Sequence, residues 1–119
     1  MVALTATLFK TIIADTSLTA ATAEDIIDLA ISNINLFSDA DLPVMGGAAG
    51  GKTVSLETRE YAAVMHAARA IYYGFFKGLE ASSIGGLTVT SPDLMSNPAV
   101  LDAIREAARR LAEFHVSYG

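Results

Sequence analysis

At 119 residues, 52% of them hydrophobic and 18% charged, the chain has the size and apolar content of one globular domain, 1–119, able to bury a core without staples. It contains no cysteine, which excludes disulfides and thiolate metal sites. The net charge of −5 is uneven, with two lysines against six acidic residues in 1–54 and six basic against seven acidic in 55–119, and no lysine–arginine cluster of the kind that neutralises phosphates, which disfavours tight nucleic-acid binding.

Four helical segments are expected. The first, about 3–14, is the weakest: Leu4, Leu8 and Ile12 line one side, Phe9 and Ile13 the other, and its threonines lower helix propensity. Residues 17–21 read as a polar connection. In the second helix, Thr22 followed by Asp25 resembles a capping box, and acidic residues gather in the first turn, where the helix dipole favours them. Stepping 100° per residue, Ala23, Ile27, Ala30, Ile31, Ile34 and Phe37 form one apolar stripe. Leu29 and Leu36 fall nearly opposite it. One reading of that pair is contact with another helix of the same bundle. The other is a contact with a second protein, since leucines exposed on a polar face need a partner.

A loop rich in glycine and alanine spans 38–54. The third helix, about 56–79 with Ser55 as its cap, carries Tyr61, Met65, Ala68, Tyr72, Phe75 and Leu79 on one face. Its back face repeats Ala63, Ala67, Ala70 and Gly74, small residues that let a neighbouring backbone approach, either inside the bundle or between subunits. A second loop, 80–97, contains Gly85-Gly86-Leu87-Thr88-Val89-Thr90-Ser91, which alternates like a short strand or extended arm. Asn97 then caps a last helix with Pro98 at its first position. Val100, Leu101, Ile104, Ala108 and Leu111 are expected inward. Asp102, Arg105, Glu106, Arg109, Arg110 and Glu113 form a charged outer arc with internal pairs such as Glu106–Arg110, an arc that also offers Arg105 and Arg109 to a partner. The fold class expected is all-α: a small bundle of about four helices with a long glycine-rich loop and a short extended arm.

One motif points to chemistry. Gly46-Gly47-Ala48-Ala49-Gly50-Gly51-Lys52-Thr53 satisfies the phosphate-loop pattern G-x-x-x-x-G-K-[ST]. Such a loop requires a buried strand running into it and a helix starting at the lysine. The preceding Asp41-Leu42-Pro43-Val44-Met45 is short and broken by proline, and the helix is expected to begin only at 55–56. A surface loop is the preferred reading and nucleotide binding a remote one. Asp39 and Asp41 lack the glycine and terminal glutamate of a calcium loop. His66, on the small face, reads as a packed or interfacial histidine, and His115 is far from it in sequence. No nucleophile elbow surrounds any serine. No catalytic residue, metal ligand or cofactor is expected. No apolar run reaches the roughly 18 residues of a membrane span, since His66 and Arg69 interrupt the longest. Lys10 within the first apolar stretch, and no basic lead before it, argue against a signal peptide and for a cytoplasm-like compartment.

The order of a short alanine-rich bundle, a glycine loop before a long aromatic-bearing helix, and an extended arm leading into a proline-initiated last helix resembles the head–tail connector, or adaptor, proteins of tailed bacteriophages and archaeal tailed viruses. The stretches that carry the likeness are Val54-Ser55-Leu56-Glu57-Thr58-Arg59-Glu60-Tyr61 and 85–97 with the helix that follows. The resemblance implies a structural protein of the virion, made in the host cytoplasm and placed at the head–tail junction. It implies a homo-oligomeric ring, commonly of twelve subunits, under the portal protein, followed by a tail-completion or stopper protein, with DNA passing through the channel without sequence-specific binding. It would place Phe114, His115, Val116, Ser117, Tyr118 and Gly119 at the portal contact. A ring needs two different faces per subunit, for which Leu29, Leu36, Ala63, Ala67, Ala70, Gly74, Arg105 and Arg109 are the candidates. Gly46, Gly47, Gly50, Gly51, Lys52, Leu87 and Val89 suit loops that order on assembly, and an acidic channel wall would keep DNA from adhering. A dimeric helical regulatory module, paired through Leu29 and Leu36, is the competing expectation.

Overall fold

The computed structural model describes residues 1–45, 53–77 and 96–116, the side chains of 113–116 excepted. The chain opens with a strand, β1 (Val2–Thr5), and continues into α1 (Ala6–Ile13) and α2 (Ala20–Ser38). After the glycine loop come β2 (Thr53–Leu56) and α3 (Thr58–Ile71), which passes into a π-helical segment, Tyr72–Phe76. The last helix is α4 (Pro98–Val116). The bundle is helical, as its periodicities predict, with a two-stranded antiparallel ribbon added.

The ribbon corrects two helix boundaries. β1 pairs with β2 in the register Val2↔Leu56 and Leu4↔Val54. Leu4, Val54 and Leu56 are buried beneath the ribbon while Ala3, Thr53 and Ser55 face out, a period of two that short runs hide inside helix-like sequence. Thr5 therefore caps α1 instead of lying within it: its hydroxyl accepts from the Leu8 amide at 3.1 Å. Within α1 the buried residues are Ala6, Phe9 and Ile13, while Ile12 is exposed, so the inward side is the one opposite to the Leu8–Ile12 line.

The cap of α2 lies three residues before the expected one. The Thr19 hydroxyl accepts from the Thr22 amide at 3.1 Å, which makes Thr22 helical and leaves Asp25 without a capping role. Ala23, Ile27, Ala30, Ile31 and Ile34 form the buried stripe, as read. Phe37 does not join it. α3 is capped by Glu57, not Ser55, through a reciprocal box with Glu60, whose carboxylate accepts from the Glu57 amide at 2.9 Å. α4 begins as its sequence signal demands: the Asn97 side-chain oxygen accepts from the amides of Ala99 at 3.1 Å and Val100 at 3.3 Å, with Pro98 at the first helical position.

α4 lies against both α3 and α2, and α2 against α3 and α1. The back face of α3 serves this packing. Ala63 and Ala67 are buried in the single chain, so the expectation that they meet another subunit is corrected. Small residues here allow helices of the same chain to approach. Gly74 makes the closest approach: a Cβ built on it would stand 2.4 Å from Val100 Cγ2 and 2.9 Å from Asn97 Nδ2. It too belongs to an internal contact, at the start of α4. Ala70 is half-buried.

The π-helical segment is anchored on its other side. The Tyr72 hydroxyl donates to Asp15 Oδ2 in the α1–α2 connection, and its ring meets Phe9 edge-on at 6.5 Å between centroids. Asp15 also accepts from the Ser17 hydroxyl at 2.6 Å and its amide at 3.0 Å. Hydrogen bonds from Ser17 and then Tyr72 hold the Asp15 carboxyl below the usual carboxylate range. Burial, followed by the bond to Asp15, pushes the Tyr72 phenol up to about 12. The raised phenol gives stability that is complete below its ordinary value of 10.0 and is lost as pH rises through about 12. Tyr72→Phe should lower stability by about 1 kcal/mol at neutral pH. It should also remove this tyrosine's share of the fall in unfolding free energy between those two pH values, which chemical denaturation at stepped pH measures.

Candidate functional site

The phosphate-loop reading does not find its geometry. Gly46, Gly47, Gly50, Gly51 and Lys52 lie outside the described residues, but the flanks are clear. Thr53, which would bind magnesium from the start of a helix, opens β2 instead, and the next helix begins at Thr58. Residues 41–45, where the feeding strand would lie, form no strand. They are fastened along α2 by side chains: Asn35 Oδ1 accepts from the Leu42 amide at 2.9 Å, Asn35 Nδ2 donates to the Leu42 carbonyl at 3.0 Å, and Asp28 Oδ1 accepts from the Met45 amide at 2.7 Å. Leu42 and Met45 are thereby buried. These clamps were not read from the sequence. An Asn at the end of a helix before an apolar, proline-containing run is the signal that could have suggested them.

Among the described residues, no three of His, Asp and Glu stand where they could hold a metal ion, and no described helix is long and apolar enough to cross a membrane. Two buried polar groups stand out. Among the described residues, His66 Nε2 has no hydrogen-bond partner, and neither does either carboxylate oxygen of Glu24, a residue with 0% exposure on α2. Beside it, burial, and then the charges of Asp28 and Glu24, raise the Asp25 carboxyl above its ordinary value.

The surface that gathers predicted site residues is the corner where the C-terminal turn of α2 meets the middle of α4. Leu36 is 72% exposed and Phe37 43% exposed. The Arg105 guanidinium lies over the Phe37 ring, 5.8 Å from its centroid, a cation–π contact. One turn further along α4, Arg109 and Arg110 are exposed and share Glu106, at 3.5 Å and 3.1 Å. The Glu106–Arg110 pair is thus as predicted. Leu29, the other half of the expected pair, is partly buried against the core and separates from Leu36 in role. Asp39 and Asp41, both exposed, follow directly on the same end of α2.

The structure therefore sets Leu36 next to Phe37, the ring that Arg105 covers, with Arg109 a turn further along α4, buries Ala63 and Ala67 in the core, and sets Gly74 against Val100 and Asn97 of the same chain. Leu87 and Val89 of the extended arm, and Ser117, Tyr118 and Gly119, lie outside the described residues, as do the side chains of Phe114, His115 and Val116. Phe37 is the participant that sequence reasoning missed. Its place 100° from Leu36 put it at the rim of the apolar stripe, and only the position of α4 decides that Arg105 covers the ring in place of the core.

No family model matches the chain, and no curated protein or solved structure is significantly similar to it.

Proposed function

We propose that the protein is a structural adaptor that works through contacts between copies and with neighbouring proteins, as a ring at the head–tail junction of a tailed virus, between the portal and the tail-completion protein. The observation that carries the reading is the exposure of Leu36 and Phe37 side by side at the end of α2, with Arg105 over the Phe37 ring. Large apolar side chains exposed next to each other suit a docking surface. The acidic excess of residues 1–54 suits a channel through which DNA passes without adhering, and the resemblance of the chain's layout to connector proteins supplies the ring and its portal partner. Leu36, Arg105 and Arg109 are the subunit contacts in this reading. The segment from Phe114 to Gly119 faces the portal in this reading. No chemistry on a small molecule is part of it.

The test is co-sedimentation of the full chain with the purified portal protein of the same virus. The chain is expected to travel with the portal in many copies. Leu36→Glu should abolish that while changing stability by no more than about 0.5 kcal/mol, the ordinary effect of an exposed substitution. A chain that stays at the top of the gradient with portal in excess would refute the adaptor reading.

A further inference from the structure

We infer that the outward face of α3 and of the π-helical segment, at Arg69, Tyr73 and Lys77, docks an acidic segment of another protein. This surface shares no residue with the end of α2, and it stands or falls independently of the adaptor reading.

The face is set by the helical period. His66, Arg69 and Tyr73 follow one another at steps of three and four residues, which puts them on one side of the helix. Burial agrees, with His66 half-buried and Arg69, Tyr73 and Lys77 exposed. From Tyr61 to Lys77 the sequence has no aspartate or glutamate, in a chain of net charge −5. Among the described residues, no carboxylate stands within ion-pair distance of Arg69 or Lys77. The contrast is with α4, where Arg109 and Arg110 are both paired with Glu106.

Tyr73 is the centre of the face and is held in place from two sides. It is 48% exposed. Its ring meets the ring of Tyr72 edge-on at 5.1 Å between centroids, and Tyr72 is itself buried and bonded to Asp15. The Lys77 ammonium lies over the Tyr73 ring, 5.1 Å from its centroid, a cation–π contact. An exposed aromatic fixed in this way loses little freedom on binding, and π-helical turns recur at functional sites. The guanidinium, the ammonium and the phenol hydroxyl all donate, and an ionised carboxylate only accepts. Tyrosine and arginine are also the residue types that carry most energy in protein interfaces. Phosphates accept as well, but nucleic-acid affinity grows with the number of phosphates neutralised. Two cations on a chain of net charge −5 therefore favour a short acidic protein segment.

Fluorescence anisotropy of a short labelled glutamate–alanine peptide, titrated with the full chain at low salt, tests this. A glutamine–alanine peptide and a duplex DNA serve as comparison. The glutamate peptide is expected to bind saturably, about tenfold or more tighter than either, and to weaken as salt rises. Arg69→Gln and Tyr73→Ala should each weaken that binding by about tenfold, with an unchanged thermal melt showing that the fold is intact. Lys10→Gln, which removes one positive charge from α1, should leave it as it was. No binding of the glutamate peptide, or equal binding of the glutamine peptide, would overturn the inference. Tighter binding of the DNA would overturn it by assigning the face to phosphates. An equal loss with Lys10→Gln would do so by showing that net charge alone is at work.

Discussion

Gly74→Ala is expected to destabilise the protein by about 2 kcal/mol, the scale of overpacking a closely fitted contact, and to lower the melting temperature by roughly 10 °C for a domain of this size. The added methyl would stand 2.4 Å from Val100 Cγ2 and 2.9 Å from Asn97 Nδ2, closer than carbon or nitrogen can approach without movement. Neither neighbour yields easily. Val100 is buried and β-branched, with few rotamers, and Asn97 caps α4 through the amides of Ala99 and Val100. A shift of Asn97 therefore loosens the first turn of the last helix as well. The clash has a specific remedy. Val100→Ala removes the nearest methyl, so the double variant Gly74→Ala, Val100→Ala should be more stable than the sum of the single effects allows, a coupling that a double-mutant cycle reads directly. Additive effects would mean that Gly74 is tolerated in the helix and not required by the contact.

Glu24→Met is expected to raise stability by about 2 kcal/mol. Glu24 has 0% exposure, and among the described residues neither of its carboxylate oxygens has a hydrogen-bond partner. A buried polar group without a partner costs on the order of 1–3 kcal/mol, and a charge costs more. An apolar side chain of similar length removes that cost and fills the same space, as buried ion-pair replacements do elsewhere. Glu24→Gln should fall between the two, since it removes the charge and keeps the unmatched polarity. The removal of Glu24 should also bring the Asp25 carboxyl back toward its ordinary value, because the charge of Glu24 is one cause of its upward shift. Urea unfolding at neutral pH measures the first effect. A loss of stability in both variants would show that the carboxylate is matched by a donor after all.

The helices that the sequence reveals best are those with local chemistry at their ends and a long stripe between. Asn97-Pro98 marks the start of α4 because both residues act within one turn of themselves. The Ala23–Ile34 stripe is legible because α2 runs 19 residues, long enough for a period of 3.6 to stand out. β1 and β2 are four residues each, and each is adjacent to a helix whose periodicity absorbs it. Their pairing joins residues 2–5 to 53–56, a contact that no local pattern encodes. The same limit applies to the site. That Leu36 is exposed follows from its angle on the helix, and the leucine pair singled it out. That Ala63 and Ala67 are internal while Arg105 lies on Phe37 depends on which helix lies where, which small residues permit but do not specify.

The proposal that this bundle assembles as a ring on a portal through the end of α2 is tested most directly by native mass spectrometry of the full chain mixed with the portal protein of the same virus. A discrete complex of one portal oligomer with a ring of many copies of this chain is expected, absent with Leu36→Glu. A chain that remains unbound beside intact portal, or that binds equally well with Leu36→Glu, would contradict it.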